Sequence, residues 1–262
     1  MDDIELLLLG TGTSAGVPMI GCHCDVCRSA DPRDKRNRTS CVISQGATRV
    51  LVDTTPELRL QCVNHDVHAI DAVVYTHAHA DHIMGLDDMR RFNAVRGGPL
   101  DVWADDRTFA TLGTCFGYAF REPEPELKVF RPHLVRRRIV PGQSFKVGPM
   151  TWTPIPLMHG DMPVLGFRVG RLAYCTDVSR IPESSYALLE GLDVLVLDAL
   201  KRKKHTTHFS LEEAAAEVER IKPKQALFVH MAHDLAHEAT NRDLPPHMQL
   251  AYDGQRVRVR AD

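Results

Sequence analysis

The chain has 262 residues, 32 of them basic and 34 acidic, for a formal net charge of -2, and 44% are hydrophobic. That length buries one large core, so a single α/β domain over 1–262 is expected. So balanced a charge supplies no global field for a nucleic acid or a membrane surface, and any phosphate recognition must be local.

In chain order, Leu6-Leu7-Leu8-Leu9 follows Asp2, Asp3 and Glu5 and stops at Gly10. The run is too short and too acidic at its start for an export signal, so it reads as a buried strand and the protein as cytoplasmic. There the seven cysteines stay reduced,. Cys22, Cys24 and Cys27 gather three thiols among Gly and Asp, which suits tetrahedral zinc if a fourth ligand arrives. His23 is a local candidate squeezed between cysteines, whereas His233, in Val229-His230-Met231-Ala232-His233, follows a strand end and is better placed. Cys41, Cys62, Cys115 and Cys175 lie in apolar contexts and read as core. Short branched apolar runs predict strands near 4–9, 41–44, 49–53, 71–75, 149–157, 165–169, 171–176, 193–198 and 225–230. Helical patterns fall near 56–64, 82–92, 105–113, 182–190 and 210–220, the last opened by the capping-box pair Ser210 and Glu213. The proline-rich stretch 121–142, with Arg136-Arg137-Arg138, reads as an irregular surface crossing. Tyr252-Asp253-Gly254-Gln255 ahead of Val257 and Val259 suggests a closing hairpin. No internal repeat, low-complexity tract or long linker is visible.

The chemistry concentrates in His77-Ala78-His79-Ala80-Asp81-His82, directly after the apolar run ending at Tyr75. Neutral imidazoles with a carboxylate suit borderline divalent metals such as Zn²⁺, Mn²⁺ or Ni²⁺. His77 and His79 can share one ion while Asp81 and His82, at the start of a helix, face a second. A dinuclear site needs further ligands. His159, Asp177 and His230 each terminate an apolar strand, where the edge of a sheet collects them.

This ordered set resembles the metallo-β-lactamase superfamily. The resemblance implies a four-layer αβ/βα sandwich with an N-terminal zinc-binding loop. It also implies that His77, His79 and His159 hold one ion, Asp81, His82 and His230 the other, and that Asp177 bridges them. Asp53 matches the family's acidic residue that orients a ligand without touching metal. The opening Leu9-Gly10-Thr11-Gly12-Thr13-Ser14-Ala15-Gly16-Val17-Pro18, the Cys-x-Cys-x-x-Cys loop and the pair His230 and His233 are similar to the phosphoribosyl 1,2-cyclic phosphate phosphodiesterases of bacterial phosphonate breakdown. That likeness implies a structural zinc on Cys22, Cys24, Cys27 and His233, and a catalytic His208. The segments 53–59 and 85–93 look more like a broad branch than the phosphonate-pathway enzymes, so the reaction carries over better than the substrate.

The expected activity is metal-dependent hydrolysis of a small cyclic phosphate diester, phosphoribosyl 1,2-cyclic phosphate-like or a cyclic nucleotide. Two divalent ions sharing a water lower its pKa towards roughly 7. Asp81 and His208 are the catalytic candidates, with His208 donating a proton to the departing oxygen or binding phosphate. Arg90 or Arg91, beyond His82, is a candidate phosphate ligand. The expected partner is a small phosphorylated molecule, without stable nucleic acid or membrane, and a homodimer is the default assembly. The competing readings are a lactonase, thioesterase or RNA-processing nuclease of the same fold, or a non-catalytic nucleotide-binding scaffold.

Overall fold

The computed structural model describes residues 3–122 and 130–261. Its strands are β1 (Ile4–Gly10), β2 (Ser40–Gln45), β3 (Thr48–Val52), β4 (Ala72–Val74), β5 (Leu100–Ala104), β6 (Leu134–Arg138), β7 (Phe145–Val147), β8 (Met150–His159), β9 (Met162–Val169), β10 (Leu172–Cys175), β11 (Val194–Asp198), β12 (Gln225–Val229), β13 (Met248–Leu250) and β14 (Arg256–Val259). The helices are α1 (Asp25–Arg28), α2 (Leu58–Asn64), α3 (Ala80–Ile83), α4 (Met89–Arg96), α5 (Asp106–Phe116), α6 (Leu211–Ile221) and α7 (His237–Asp243).

Two seven-stranded sheets run in the orders β14-β1-β2-β3-β4-β5-β6 and β13-β12-β11-β10-β9-β8-β7. Each changes from antiparallel to parallel pairing halfway, at β3/β4 in one and at β10/β11 in the other. The apolar alternation explains the layering. On β1, Leu6 and Leu8 join Val50, Val74, Trp152, Phe167 and Val196 in the core between the sheets. Leu7 and Leu9 face outward with Leu58, Ile83, Met89, Phe109 and Leu112 from the helices. A matching outer core on the second sheet packs Leu195, Leu197 and Phe228 against Leu211, Ala214 and Val218 of α6. This is the αβ/βα sandwich that the resemblance implies, and its four-layer build follows from strands buried on both faces. Among the described residues no helix is long and apolar enough to cross a membrane.

Several local expectations change. The helix predicted over 82–92 is broken into α3, a 3₁₀ turn at Leu86–Asp88 and α4. The break arises because this backbone bonds across to the loop after β3: Thr54 donates to the His82 carbonyl at 2.7 Å and Gly85 to the Thr54 carbonyl at 3.0 Å. The helix predicted over 182–190 is a 3₁₀ helix at Glu183–Leu189. Within 121–142, the arginine run lies on the edge strand β6, and 123–129 falls outside the described residues. The turn at 252–255 leads not into a hairpin but from one sheet to the other, since β14 pairs with β1. Cys115 is exposed, while Cys41, Cys62 and Cys175 are buried as expected. β5, β6, β7, β13, α1 and α7 have no counterpart in the sequence reading.

Gly85 has no room for a side chain in this frame, because a Cβ there would collide with the Thr55 carbonyl oxygen and press on Leu58. Gly85→Ala is expected to cost about 1–3 kcal/mol of stability, read as a lower urea midpoint at an unchanged m-value.

Candidate metal centre

The polar residues named above meet where the strands of both sheets end. Asp53 follows β3, Thr76 and His77 follow β4, His159 closes β8, Asp177 follows β10, and His230 follows β12. Asp53, Asp177 and His230 take φ angles of 62°, 54° and 58°. For non-glycine residues this left-handed backbone is costly and is kept where a side chain must turn sharply at a strand end.

Two sets of donors result. His77, His79, His159 and Asp177 offer ligand atoms within 4.8 Å of one another, and so do Asp81, His82, Asp177 and His230. Asp177 belongs to both and lies between them: its Oδ2 stands 3.8 Å from His77 Nε2 of the first set and 3.3 Å from His230 Nε2 of the second, and its Oδ1 3.3 Å from His82 Nε2. Asp81 Oδ2 stands 3.5 Å from His82 Nε2 and 3.6 Å from His230 Nε2. His79 is exposed and forms the open side of the cluster.

Hydrogen bonds outside the two sets fix which imidazole nitrogen faces inward. His159 Nδ1 lies 2.6 Å from the Thr207 carbonyl, which only accepts, so Nδ1 carries the proton and Nε2 keeps its lone pair,. The Thr76 hydroxyl donates to Asp53 Oδ2 at 2.8 Å and therefore accepts from His77 Nδ1 at 3.0 Å. His82 Nδ1 donates to the same Asp53 oxygen at 2.8 Å, and the Thr76 amide reaches Asp53 Oδ1 at 2.9 Å. Asp53 thus orients His82 directly and His77 through Thr76. The Nε2 atoms of His77, His82 and His230 are buried with no hydrogen-bond partner. Buried nitrogens crowded around carboxylates yet unbonded are costly unless a cation takes their lone pairs, so this donor set fits divalent metal. Burial, reinforced by His82, drives the His77 imidazole well below its usual range, as a neutral ligand requires. Burial alone would raise the Asp177 carboxyl, but His230 and His82 beside it hold it well below the carboxylate range.

The second cluster is separate. Cys22 Sγ and Cys24 Sγ lie 3.2 and 3.3 Å from His233 Nδ1, with Cys27 Sγ at 3.7 Å. His23 is exposed between them, so His233 is the fourth donor that the geometry brings in. Its tetrad of thiols and imidazole fits zinc. The Cys27 backbone amide, helped by His233, pulls the Cys24 thiol down to about 6, whereas burial pushes Cys27 up to about 11.

His208 joins the site. Its ring stacks on His230 at 4.6 Å and meets His159 edge-on at 4.4 Å. Arg90 does not: in the first turn of α4, just after the 3₁₀ turn, it pairs with Asp87 at 3.1 Å and lies over the Phe130 ring. Arg91 lines a groove with Leu58 and Phe92. Sequence reasoning missed Thr76, whose signal is a hydroxyl directly before His77. It also missed Asp198, which ends an apolar strand just as Asp177 follows one and accepts from His208 Nδ1 at 2.6 Å.

Residues 48–231 match the family model of the beta-lactamase superfamily domain. A crystallised diphosphatase of the PhnP family is 40% identical and superposes with a TM-score of 0.92, covering 99% of this chain and 98% of its own. Zn²⁺-bound PqqB from Methylobacterium extorquens shares the fold at 19% identity and a TM-score of 0.79, over 97% of this chain and 99% of its own. An octanoyltransferase of Porphyromonas gingivalis is 36% identical over 96% of this chain but 51% of its own, so the chain spans about half the length of that curated relative.

If Asp53 orients His82 and His77 as described, Asp53→Asn weakens metal binding at the histidine cluster by roughly 10–100-fold. Metal titration against a competing chelator checks this, with metal on the cysteine cluster unchanged.

Proposed function

From the premise that the chain belongs to the metallo-β-lactamase superfamily and, within it, to the PhnP family, we propose that it is a metal-dependent phosphodiesterase acting on a small cyclic phosphate diester. The observation that carries this is the pair of donor sets sharing Asp177, with inward Nε2 atoms that lack hydrogen-bond partners. In this reading His77, His79 and His159 hold one divalent ion, Asp81, His82 and His230 hold another, and Asp177 serves both. Bound there, such ions supply Lewis acidity, which activates water and offsets charge on phosphate oxygens. Cys22, Cys24 and Cys27 with His233 hold a structural zinc and tether the N-terminal loop.

The chain's own groups do the rest. His159, locked by the Thr207 carbonyl, presents one fixed nitrogen to the reacting region. Asp81, between His82 and His230, supplies negative charge beside the attacking water. His208 lies against His159 and His230, where it meets the departing oxygen and gives it a proton,. The exposed side at His79 admits a small phosphorylated substrate. A second substrate reading, cleavage of a phosphoric anhydride, is favoured by the PhnP-family relative, which is a diphosphatase. Octanoyl transfer is not carried over, because half of that relative lies outside the match. A homodimer without stable nucleic acid remains part of the proposal.

Bis(p-nitrophenyl) phosphate should be hydrolysed when Mn²⁺ is added and not after chelation. Unchanged turnover in His79→Ala or Asp177→Ala would sink the proposal. A panel of phosphoribosyl 1,2-cyclic phosphate, a 2′,3′-cyclic nucleotide and a nucleoside diphosphate then separates diester from anhydride cleavage. Cys24→Ser should lower the melting temperature before it touches the chemical step, since the metal it helps hold contributes to folding.

A further inference from the structure

The parallel strands β4, β5 and β6 end at one edge of their sheet, with Val74 level with Trp103 and Ala104 level with Arg138. β4 leads to His77, β5 to Asp105 and β6 to Ile139. The Ile139 amide donates to the Ala104 carbonyl at 2.8 Å, which keeps these last two strand ends together. Facing them on the second sheet, Pro163 stands opposite Met158 and Leu165 opposite Pro156, next to the pair of His159 with Met162. The Leu165 amide reaches the carbonyl of Thr76, the residue before His77, at 3.1 Å. Between the β5 and β6 ends and the β8–β9 hairpin lies a cavity of about 310 Å³. It begins where the histidine donors stop.

Its lining is of two kinds. Ile139 and Leu165 are buried and aliphatic, and Pro141, Pro156 and Pro163 add rigid rings without an amide donor,. A group seated on them gains by burying a flat apolar face, not by hydrogen bonds. The rim is charged. Asp105 caps α5 by accepting the Thr108 amide at 2.8 Å, and Asp106 holds Arg138 at 2.6 Å. Arg107, in the first turn of α5, has no hydrogen-bond or ion-pair partner among the described residues. A free guanidinium beside an apolar cleft can stack on an aromatic ring and donate to its lone pairs. The volume is at the lower end of small-molecule sites, which run from about 300 to 1,000 Å³.

We infer that this cavity is the subsite for a nucleobase, so that the diester cleaved here is a cyclic nucleotide and not a base-free sugar phosphate. This rests on the phosphodiesterase reading and names its substrate. The base lies between the prolines and Arg107, with the cyclic phosphate on the side of His77 and His159. A bare ribose phosphate would set hydroxyls against proline and aliphatic carbon, where they lose water and gain no partner.

The test pairs two esters that differ only in the base, 2′,3′-cyclic AMP and methyl riboside 2,3-cyclic phosphate. The parent protein should show a kcat/KM about 10-fold higher on the first, from burial of the base and its contact with Arg107. Arg107→Gln should cut that preference by about 3-fold, through KM and not kcat, as loss of one cation–π contact at a partly exposed site requires. Binding is read separately from turnover. Adenosine, which carries no phosphate for metal to hold, should shift the methyl resonances of Ile139 and Leu165, and methyl riboside should leave them in place. Equal kcat/KM on the two esters, an undiminished preference in Arg107→Gln, or methyl resonances unmoved by adenosine would each overturn the assignment. If the parent protein cleaves neither ester, the phosphodiesterase reading fails, while the methyl resonances still decide whether the cavity takes a base.

Discussion

The Asp53 carboxylate is the point on which the site depends. It is fully buried and accepts three hydrogen bonds, from the Thr76 amide, the Thr76 hydroxyl and His82. Burial raises its carboxyl pKa, opposed by His82 and by the two Thr76 bonds. Those donors are what make a carboxylate tolerable there, and the ligands gain a fixed orientation from the same bonds. The left-handed backbone of Asp53, the bond from the Thr54 amide to the His82 carbonyl and the bond from the Gly85 amide to the Thr54 carbonyl belong to one construction, which brings a turn after β3 against the helix that carries Asp81 and His82.

The two sheets share this work unequally. The first supplies Asp53, His77, His79, Asp81 and His82 from two neighbouring parallel strands and one short helix, while the second supplies His159, Asp177 and His230 from three strand ends. Neither sheet assembles a donor set alone, so the site reports on how the sheets dock. The Leu165 amide reaches across to the Thr76 carbonyl at 3.1 Å, next to His77. The inter-sheet core of Trp152, Phe167 and their neighbours then holds that docking against the cost of collecting polar groups,.

The sequence made the ligands legible because metal binding needs distinctive side chains at short spacing, and an apolar strand followed by a His or Asp marks where they converge. The same signal was present at Asp198 and went unused, because a lone Asp has many ordinary explanations until a histidine is placed beside it. Thr76 was invisible for a related reason, since its role exists only once Asp53 and His77 are neighbours. The large strands were legible through their branched apolar runs, whereas β5 and β6 interrupt theirs with Asp101 and three arginines. The break in the helix over 82–92 comes from hydrogen bonds to residues far earlier in the chain, which helical periodicity does not encode. The shared antiparallel-to-parallel order of the sheets likewise leaves no repeat in the residues themselves.

The two clusters of candidate metal donors are joined by one short loop. His230 faces the donors around Asp177, and His233, three residues on, faces the thiols. Between them Met231 is bonded on both sides, its amide to the Thr11 carbonyl at 3.0 Å and its carbonyl to the Thr13 amide at 3.1 Å. Fully buried Arg36 donates to the carbonyls of Ala232 at 3.0 Å and Leu235 at 2.5 Å, and pairs with Asp34. A planar guanidinium reaches several fixed acceptors at once, which an ammonium on a flexible stem does less well. Asp34 in turn accepts the His237 amide at 2.8 Å at the start of α7. The loop is thus pinned by the N-terminal segment on one face and by Arg36 on the other. Its placement of His230 is inseparable from its placement of His233, which gives the cysteine cluster a structural reason to stand beside the hydrolytic site.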